Sequence, residues 1–340
     1  MRYLSLFSGI EAASVAWQEL GWEPVAFCEN DRFPSAVLAY RFPNVPNLWD
    51  ITKVDWGEFK KQYGTIDLIV GGSPCQSFST AAGAFRTSLD GKSNLMREYL
   101  RAIAAIRPQW IVWENVTGVL YTRDNAFRQL LSTLQQIGYC DISYRVIDAR
   151  SFGIPQMRRR LFLVGYLSGG GFCSAAVLFN RDCLQGNTKP HDWQGEKTTA
   201  TDSRSVRDSI PYTMKVRCGA ETFTREDGTT GTAGKGALIG ENVAFTIGAV
   251  QDQTLFVNEG GTYKARRFTP IECERLQGFP DDYTRIPYKG KPASECPDAP
   301  RRKALGNSFC VPVVRWIGER IQLVEEILNE KESAERRSLS

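Results

Sequence analysis

The chain has 340 residues, with 42 Lys and Arg against 38 Asp and Glu, nine Cys and one His. A single histidine excludes metal sites built from several imidazoles, no two cysteines form a CxxC pair, and we therefore expect no metal. No apolar run approaches the roughly 20 residues of a membrane-spanning helix. The odd cysteine count and the absence of a signal peptide favour a cytoplasmic protein.

Residues 1–166 alternate short apolar runs with helical patterns. Strands are predicted at 3–7, 24–29, 66–70, 110–113, 142–147 and 161–164, and helices at 10–20, 33–40, 95–106 and 125–136. Alternation of this kind, with near-continuous apolar strands, is typical of a parallel sheet covered by helices on both faces. The sequence therefore predicts an α/β fold.

The remainder of the chain changes in texture. Residues 167–263 are rich in Gly and Thr, and short strands are predicted at 243–247 and 254–257 within a loop-rich module. A helix is predicted at 313–328, and the charged residues after it are expected to fray.

The first strand end with candidate functional residues is Phe7-Ser8-Gly9, and Glu29 ends the next predicted strand. A tight turn at Gly9 would expose backbone N–H groups to a ligand, and a carboxylate at Glu29 could bind both ribose hydroxyls of a nucleoside. The segment lacks the GxGxxG pattern, which favours a cofactor without a pyrophosphate. An ordinary β–α turn with an exposed Glu is the alternative interpretation.

The second strand end is the segment 71–79, which begins with Gly71-Gly72 and contains Pro74 and Cys75. The glycines let the chain leave the sheet sharply, and Pro74 stiffens the turn that presents the thiol. A thiol beside helix N-termini and basic groups can ionise and act as a nucleophile. The alternative is a structural cysteine, as we expect for most of the other eight.

The third strand end is Glu114, which follows Trp113 and precedes Asn115. Desolvation by these neighbours is expected to raise the pKa of its carboxyl group and make it an acid or hydrogen-bond donor. A helix cap or an ion pair is the alternative. A nucleophile and a carboxylic acid at two ends of one sheet indicate a reaction centre more strongly than either alone.

Three arginines precede the last strand of this region. In an extended segment Arg158 and Arg160 share one face, whereas Arg159 points away. The pair could form a solvated edge, or it could place two guanidinium groups over an anionic or carbonyl-bearing substrate.

Taken in order, these segments resemble the cytosine-C5 DNA methyltransferase family of the bacterial and prophage type. The resemblance spans nearly the whole chain except the Gly/Thr-rich zone, and the order of its motifs makes it specific. The segments that carry it are Phe7-Ser8-Gly9, Glu29, Asp50-Ile51, Gly72–Ser79, Glu114-Asn115-Val116, Gln156-x-Arg158-x-Arg160, Arg266–Pro280 and Gly306-Asn307-Ser308.

The resemblance implies a Rossmann-like domain that binds S-adenosylmethionine (SAM) and a smaller, loop- and strand-rich target-recognition domain. On this basis the catalytic domain is expected at 1–167 and the target-recognition domain at 168–302, including 266–286. A segment at 303–330 would return to the catalytic domain, and 331–340 would form a polar tail.

The resemblance also implies roles for individual residues. Cys75 would be the nucleophile, Glu114 would engage the base, and Arg158 and Arg160 would be cations beside it. The cofactor would contact Phe7, Ser8, Gly9, Glu29, Asp50, Ile51, Pro74, Leu95, Asn307 and Ser308. The DNA would contact Gln76, Ser79, Arg158 and Arg275.

The implied reaction is methyl transfer from SAM to C5 of a flipped-out cytosine in a specific double-stranded DNA sequence, through a Cys75–C6 adduct. A tRNA cytosine methyltransferase and a catalytically silent DNA-binding regulator are the alternatives. A cytoplasmic, nucleoid-associated monomer is expected, with a separately acting restriction endonuclease as a candidate partner. The chain departs from the family at Glu11-Ala12, where a glycine pair is usual, and at Asn30, where an aromatic residue often stacks on adenine.

Overall fold

The protein is described by a computed structural model that covers residues 1–73, 95–122, 125–167, 171–179, 212–216, 221–224, 230–233, 237–248, 253–259 and 262–338. Two compact units are present. The first comprises Met1–Ile147, Arg159–Asp192 and Phe309–Ser340, and the second comprises Asp148–Arg158 and Trp193–Ser308. This division differs from the predicted one at three points. Residues 148–158 belong to the second unit, the first unit continues past residue 167 and includes 173–178, and the chain returns to the first unit at Phe309, not at residue 303.

The first unit is built on a six-stranded sheet with the order β2-β1-β3-β4-β7-β5. Its strands are β1 (Arg2–Leu6), β2 (Glu23–Cys28), β3 (Leu68–Gly71), β4 (Trp110–Val116), β5 (Asp141–Asp148) and, after the short β6 (Gln156–Met157) of the second unit, β7 (Arg159–Tyr166). Strands β1, β2, β3 and β4 pair in parallel.

The predicted parallel sheet is present in β1–β4, whereas strand β7 runs antiparallel to β4. The connection 149–158 between β5 and β7 contains only a 3₁₀ turn and β6. A parallel neighbour would need a crossover of a dozen or more residues, usually helical. The short connection therefore returns the chain in the opposite direction.

Helices pack on this sheet and bury its apolar strands. They are α1 (Ala12–Trp17), α2 (Arg32–Arg41), α3 (Trp56–Tyr63), α4 (Leu95–Ile106), α5 (Ala126–Ile137) and α6 (Cys173–Leu178). Side chains at helical spacing, such as Tyr99 and Ile103 of α4 and Leu130 and Leu134 of α5, are buried in one hydrophobic cluster with the strands. The Tyr99 hydroxyl donates to the Val112 carbonyl at 3.2 Å and ties α4 to β4.

The second unit contains a four-stranded antiparallel sheet with the order β11-β8-β13-β14. Its elements are β8 (Tyr212–Val216), the hairpin β9 (Glu221–Thr224) and β10 (Thr230–Ala233), β11 (Ala237–Glu241), β12 (Ala244–Phe245), β13 (Gln253–Glu259), β14 (Thr262–Arg266), α7 (Pro270–Gln277) and α8 (Asp298–Asn307). The predicted strand at 254–257 lies within β13, whereas the one at 243–247 is reduced to β12.

The long C-terminal helix α9 (Val311–Ser338) belongs to the first unit. Three indole N–H groups anchor it: Trp17 donates to the Val314 carbonyl at 2.9 Å, and Trp22 and Trp110 donate to side chains of the same helix. The helix continues through the residues that we expected to fray, because their Glu, Lys, Arg and Ala content favours helix. None of the helices in the described ranges is long and apolar enough to cross a membrane.

Gly318 allows α9 to pack against α1, and we predict that Gly318→Ala destabilises the protein. An added Cβ would lie 2.2 Å from Trp17 Nε1, and the indole cannot move away without losing its bond to Val314. Overpacking costs roughly 1–3 kcal/mol or more, which opposes the ~1 kcal/mol that alanine gains over glycine in a helix.

The measurement is the urea midpoint of unfolding, with Ser333→Ala on the exposed part of α9 as the control. In a Trp17→Phe background the same Gly318→Ala change should cost less. An unchanged or higher midpoint for the single variant would contradict the prediction.

Candidate active site

The turn after β1 is wound through left-handed backbone conformations and bonded to the end of β2. Phe7 and Gly9 have φ of +54° and +56°. The Gly9 N–H donates to Glu29 Oε2 at 2.8 Å, and the Asp31 N–H donates to Glu29 Oε1 at 2.7 Å. The Ser8 hydroxyl accepts from the Cys28 N–H at 3.1 Å. The structure thus brings together the residues that the sequence predicted at these two strand ends.

The carboxylates of Glu29 and Asp50 act electrostatically on the buried thiol of Cys28. Burial raises the pKa of Glu29, and hydrogen bonds from the backbone N–H groups of Asp31 and Gly9 oppose that rise. Burial, followed by the negative charges of Glu29 and Asp50, raises the pKa of the Cys28 thiol to about 12. Cys28 is therefore a neutral thiol near pH 7 and is not a nucleophile, as expected for a structural cysteine.

A loop residue that the sequence analysis missed joins the next segment to Glu29. The side-chain amide of Asn47 accepts from the Glu29 N–H at 3.0 Å and from the Trp49 N–H at 3.1 Å. Its Nδ2 also donates to the Glu29 carbonyl at 3.0 Å. The one signal in the sequence is an amide side chain between Pro46 and Leu48, in a loop that otherwise packs against the sheet edge.

The segment after Trp49 is held from two sides. Asp50 accepts from the Thr52 N–H at 3.0 Å and caps the 3₁₀ turn Ile51–Lys53. Hydrogen bonds from Thr52 lower the pKa of Asp50. The Ile51 side chain is buried, and its carbonyl accepts from Arg101 Nη2 of α4 at 2.8 Å.

Glu114 is paired with an arginine across the antiparallel strands β4 and β7. Glu114 lies opposite Phe162 and Val116 opposite Arg160, so Glu114 and Arg160 are diagonal neighbours. Arg160 Nε lies 3.2 Å from Glu114 Oε1, and the two side chains are 16% and 11% exposed. This is the ion pair that the sequence analysis left open as an alternative. The expected rise in the pKa of Glu114 stays a prediction.

Gly72 and Ser73, the last described residues before Cys75, lie against the end of β4 at Glu114. A Cβ on Gly72 would lie 2.9 Å from the Phe309 ring and 3.0 Å from the Glu114 carbonyl oxygen, so only glycine fits. Trp113 Nε1 donates to Ser73 Oγ and Asn115 Nδ2 donates to the Ser73 carbonyl, both at 3.4 Å. Phe309 was missed in the sequence, although it directly follows Gly306-Asn307-Ser308.

Four predicted site residues lie outside the described residues: Pro74, Cys75, Gln76 and Ser79. Ser73, the last described residue before them, is separated from Cys75 by one residue. Leu95 begins α4 and packs, partly buried, against the hydrophobic cluster. The roles assigned to these residues stay predictions.

In the second unit the guanidinium of Arg158 is bonded to backbone carbonyls. The alternation is confirmed, because Arg158 is buried and Arg159 is exposed. However, the Arg158 guanidinium donates to the carbonyls of Gly306 and Ser308 at 3.3 and 2.6 Å. It is 3% exposed, and the position beside the base that the resemblance implies for it stays a prediction.

The remaining predicted residues of the second unit lie near the ends of its helices. Arg275 of α7 forms a two-pronged pair with Asp281 at 2.8 and 2.5 Å, which compensates its charge locally. Asn307 at the end of α8 is exposed, and Ser308 is buried. The DNA contact predicted for Arg275 would have to compete with Asp281.

A sequence model of the family described as C-5 cytosine-specific DNA methylase matches residues 1–323. The chain belongs to this family. The recognition made from the ordered motifs is confirmed, as is the expectation of a DNA methyltransferase.

Relatives of this chain are also named as methyltransferases, although one of them is named for adenine. Type II methyltransferase M2.BsuMI of Bacillus subtilis is 30% identical over 94% of this chain and 75% of its own length. A protein of Escherichia phage P1 named DNA N-6-adenine-methyltransferase is 29% identical over 98% of this chain. That match covers 62% of the phage protein, so this chain spans less than two thirds of it.

A solved structure supports the fold. The crystal structure of S. pombe Dnmt2 methyltransferase superposes with a TM-score of 0.64 at 18% identity, covering 97% of this chain and 99% of that one. The predicted Rossmann-like α/β architecture with an additional strand-rich part is confirmed.

Glu11 gives this cytosine methylase a pH-dependent stability. The side chain is buried at a φ of +64° and accepts from Ser5 Oγ at 2.7 Å and from the Ser14 N–H at 3.1 Å. Burial raises its pKa from 4.5 to about 7. The folded state therefore favours the protonated acid. Relative to the unfolded chain, the stabilisation that this gives is fully present below pH 4.5 and is lost as the pH rises through about 7.

We expect wild type to lose up to roughly 3 kcal/mol of unfolding free energy relative to Glu11→Gln between pH 4.5 and 8. Denaturant unfolding of both proteins across this range measures the difference. Glu58→Gln, at an exposed position of α3, is the control and should show no such trend. A constant difference between wild type and Glu11→Gln would refute the assignment.

Proposed function

We propose that this protein transfers a methyl group from SAM to C5 of a flipped-out cytosine in a specific double-stranded DNA sequence, through a covalent bond between Cys75 and C6. The observation that carries the proposal is the partly buried Glu114–Arg160 pair at the end of β4, where Gly72 lies against Glu114 and Ser73 is bonded to Asn115. A carboxyl group and a guanidinium thus lie at one edge of the sheet, and Ser73, two residues before Cys75, lies beside them.

The residues at the ends of β1 and β2 fit SAM. The Gly9 turn admits a ligand close to the backbone, and the Glu29 carboxylate, held by two N–H groups, retains lone pairs for ribose hydroxyls. Bound there, SAM supplies an electrophilic methyl group. The further contacts are proposed from the sequence resemblance: Phe7, Ser8, Asp50, Ile51, Pro74, Leu95, Asn307 and Ser308.

The chemistry explains why these residue types are needed. Cytosine C5 is a poor nucleophile, so the Cys75 thiolate first adds to C6. Glu114 protonates or hydrogen-bonds N3, and Arg160 stabilises the negative charge at O2. C5 then becomes an enamine-like carbon that accepts the methyl group. Loss of the C5 proton restores the ring and expels the Cys75 thiolate. The cytosine must leave the duplex stack before these steps, because the thiol cannot reach C6 of a stacked base.

Adenine-N6 methylation is a second candidate, because the phage P1 relative bears that name. An exocyclic amine carries its own lone pair and needs no thiol adduct, so that reaction would leave Cys75 without a role. The family match over residues 1–323 favours cytosine.

We also propose that the protein is a cytoplasmic monomer that acts at the nucleoid, and that a restriction endonuclease acts separately as its partner.

We expect Cys75→Ala to abolish methylation. Without the thiol no C6 adduct forms and C5 remains unreactive. Cells lacking cytosine methylation would express each variant, and nucleoside mass spectrometry would quantify 5-methylcytosine, N6-methyladenine and 5-methylcytidine in DNA and tRNA. Bisulfite sequencing of the same DNA would give the target sequence.

Cys140→Ala, which removes an exposed thiol far from these strand ends in sequence, is the matched control and should retain full activity. Retained 5-methylcytosine in Cys75→Ala would refute the nucleophile assignment. N6-methyladenine alone, or 5-methylcytidine in tRNA alone, would replace the proposed substrate.

We expect Glu114→Gln to lower the single-turnover methylation rate by about 10²–10⁴-fold, the range supplied by general acid catalysis. The amide keeps the shape but cannot transfer a proton, and it loses its ion pair with Arg160. DNA binding, measured by fluorescence anisotropy on the target identified by bisulfite sequencing, should change little. Glu98→Gln is the control, and a Glu114→Gln rate within threefold of wild type would contradict the role.

A further inference from the structure

Trp49 presents a large aromatic ring to solvent from a backbone conformation that opposes it. The residue is 54% exposed and has a φ of +61°, which is sterically unfavourable for a bulky side chain. Its N–H donates to Asn47 Oδ1 at 3.1 Å, and its carbonyl accepts from Cys28 Sγ at 3.3 Å. The tertiary structure therefore fixes the backbone on both sides of an otherwise strained tryptophan.

These bonds connect Trp49 to the proposed cofactor site. One atom, Asn47 Oδ1, accepts from the backbone N–H groups of both Glu29 and Trp49. The next residue, Asp50, lies close enough to Cys28 for its charge to influence that thiol together with Glu29. The backbone of Trp49 is thus held by the same Asn47 side chain that holds Glu29, whose carboxylate is proposed to bind the ribose.

Trp49 differs from Tyr40, another exposed aromatic residue of the first unit. Tyr40 is 53% exposed, but it lies in the regular helix α2 and has the Arg41 guanidinium 5.3 Å from its ring centre. Within the part of the chain that the structure describes, the Trp49 indole makes no hydrogen bond and no ring contact. An exposed indole on a backbone held in place is a surface on which a purine base can stack.

We propose that Trp49 stacks on the adenine ring of SAM and that Asn47 is the positioning residue that sets the indole relative to Glu29. The residue that follows Glu29 is Asn30, which has no ring to offer, so the aromatic surface comes from the neighbouring loop. This inference rests on the proposed use of SAM. It assigns two residues that the ordered motifs do not contain.

The decisive variant is Trp49→Gly, because glycine suits the left-handed backbone and removes only the ring. We expect its urea midpoint to be at least that of wild type. Its dissociation constant for S-adenosylhomocysteine, measured by calorimetry, should rise about tenfold or more. Adenosine alone should show the same ratio. Trp49→Phe should stay within about threefold of wild type, and the control Tyr40→Ala should be unchanged.

Fluorescence gives an independent readout of the same contact. S-adenosylhomocysteine should quench the indole emission of wild type, and this quenching should largely disappear in Trp49→Phe although binding persists. If wild type binds and Trp49→Gly binds within twofold of it, the stacking role is overturned while the proposed function stands. If wild type binds no S-adenosylhomocysteine, both are overturned.

Asn47 is tested by the contrast between two substitutions. Asn47→Ala removes all three bonds and should raise the KM for SAM at least fivefold with kcat changed less than twofold. Asn47→Asp keeps the acceptor shared by Glu29 and Trp49 and should restore most of the affinity. A loss of thermal stability in Asn47→Ala without a change in KM would overturn the positioning role.

Discussion

The direction of β7 is the constraint on which the arrangement of the catalytic side depends. Because β7 is antiparallel to β4, its first residues pair with the last residues of β4, and Arg160 meets Val116. In a parallel arrangement Arg160 would lie near the start of β4, roughly 10–13 Å from Glu114 at about 3.3 Å per residue. The short connection after β5 therefore determines which cation faces the acid.

Close packing at the end of β3 requires glycine at two successive positions on the same edge of the sheet. A Cβ on Gly71 would lie 2.7 Å from the Leu6 carbonyl, and one on Gly72 would meet Phe309 and Glu114. Two successive glycines let β3 leave the sheet between β1 and β4 without displacing either neighbour. Side chains there would push the chain away from Glu114, and the cysteine loop would begin farther from the acid that the proposed reaction needs.

The sequence was informative where local pattern determines structure. Apolar runs located the strands of the first unit, and the period of two correctly alternated Arg158 and Arg159 between buried and exposed positions. Pattern did not specify partners, because Arg158 bonds carbonyls nearly 150 positions away and Arg160 bonds Glu114 across a strand pair. The orientation of β7 and the bridging amide of Asn47 also depend on pairings between distant segments, which periodicity does not encode.

Departures from the family pattern have physical compensation in this chain. At Glu11, where glycine is usual, the backbone is left-handed and the carboxyl group accepts from Ser5 and Ser14. The Ser14 hydroxyl lies 2.6 Å from the Tyr3 hydroxyl, so a buried polar network joins β1 to the start of α1. Glycine would supply the same φ without this link. The geometry of the Gly9 turn is thereby coupled to a buried acid, and strain that glycine would avoid is offset by hydrogen bonds that glycine could not make.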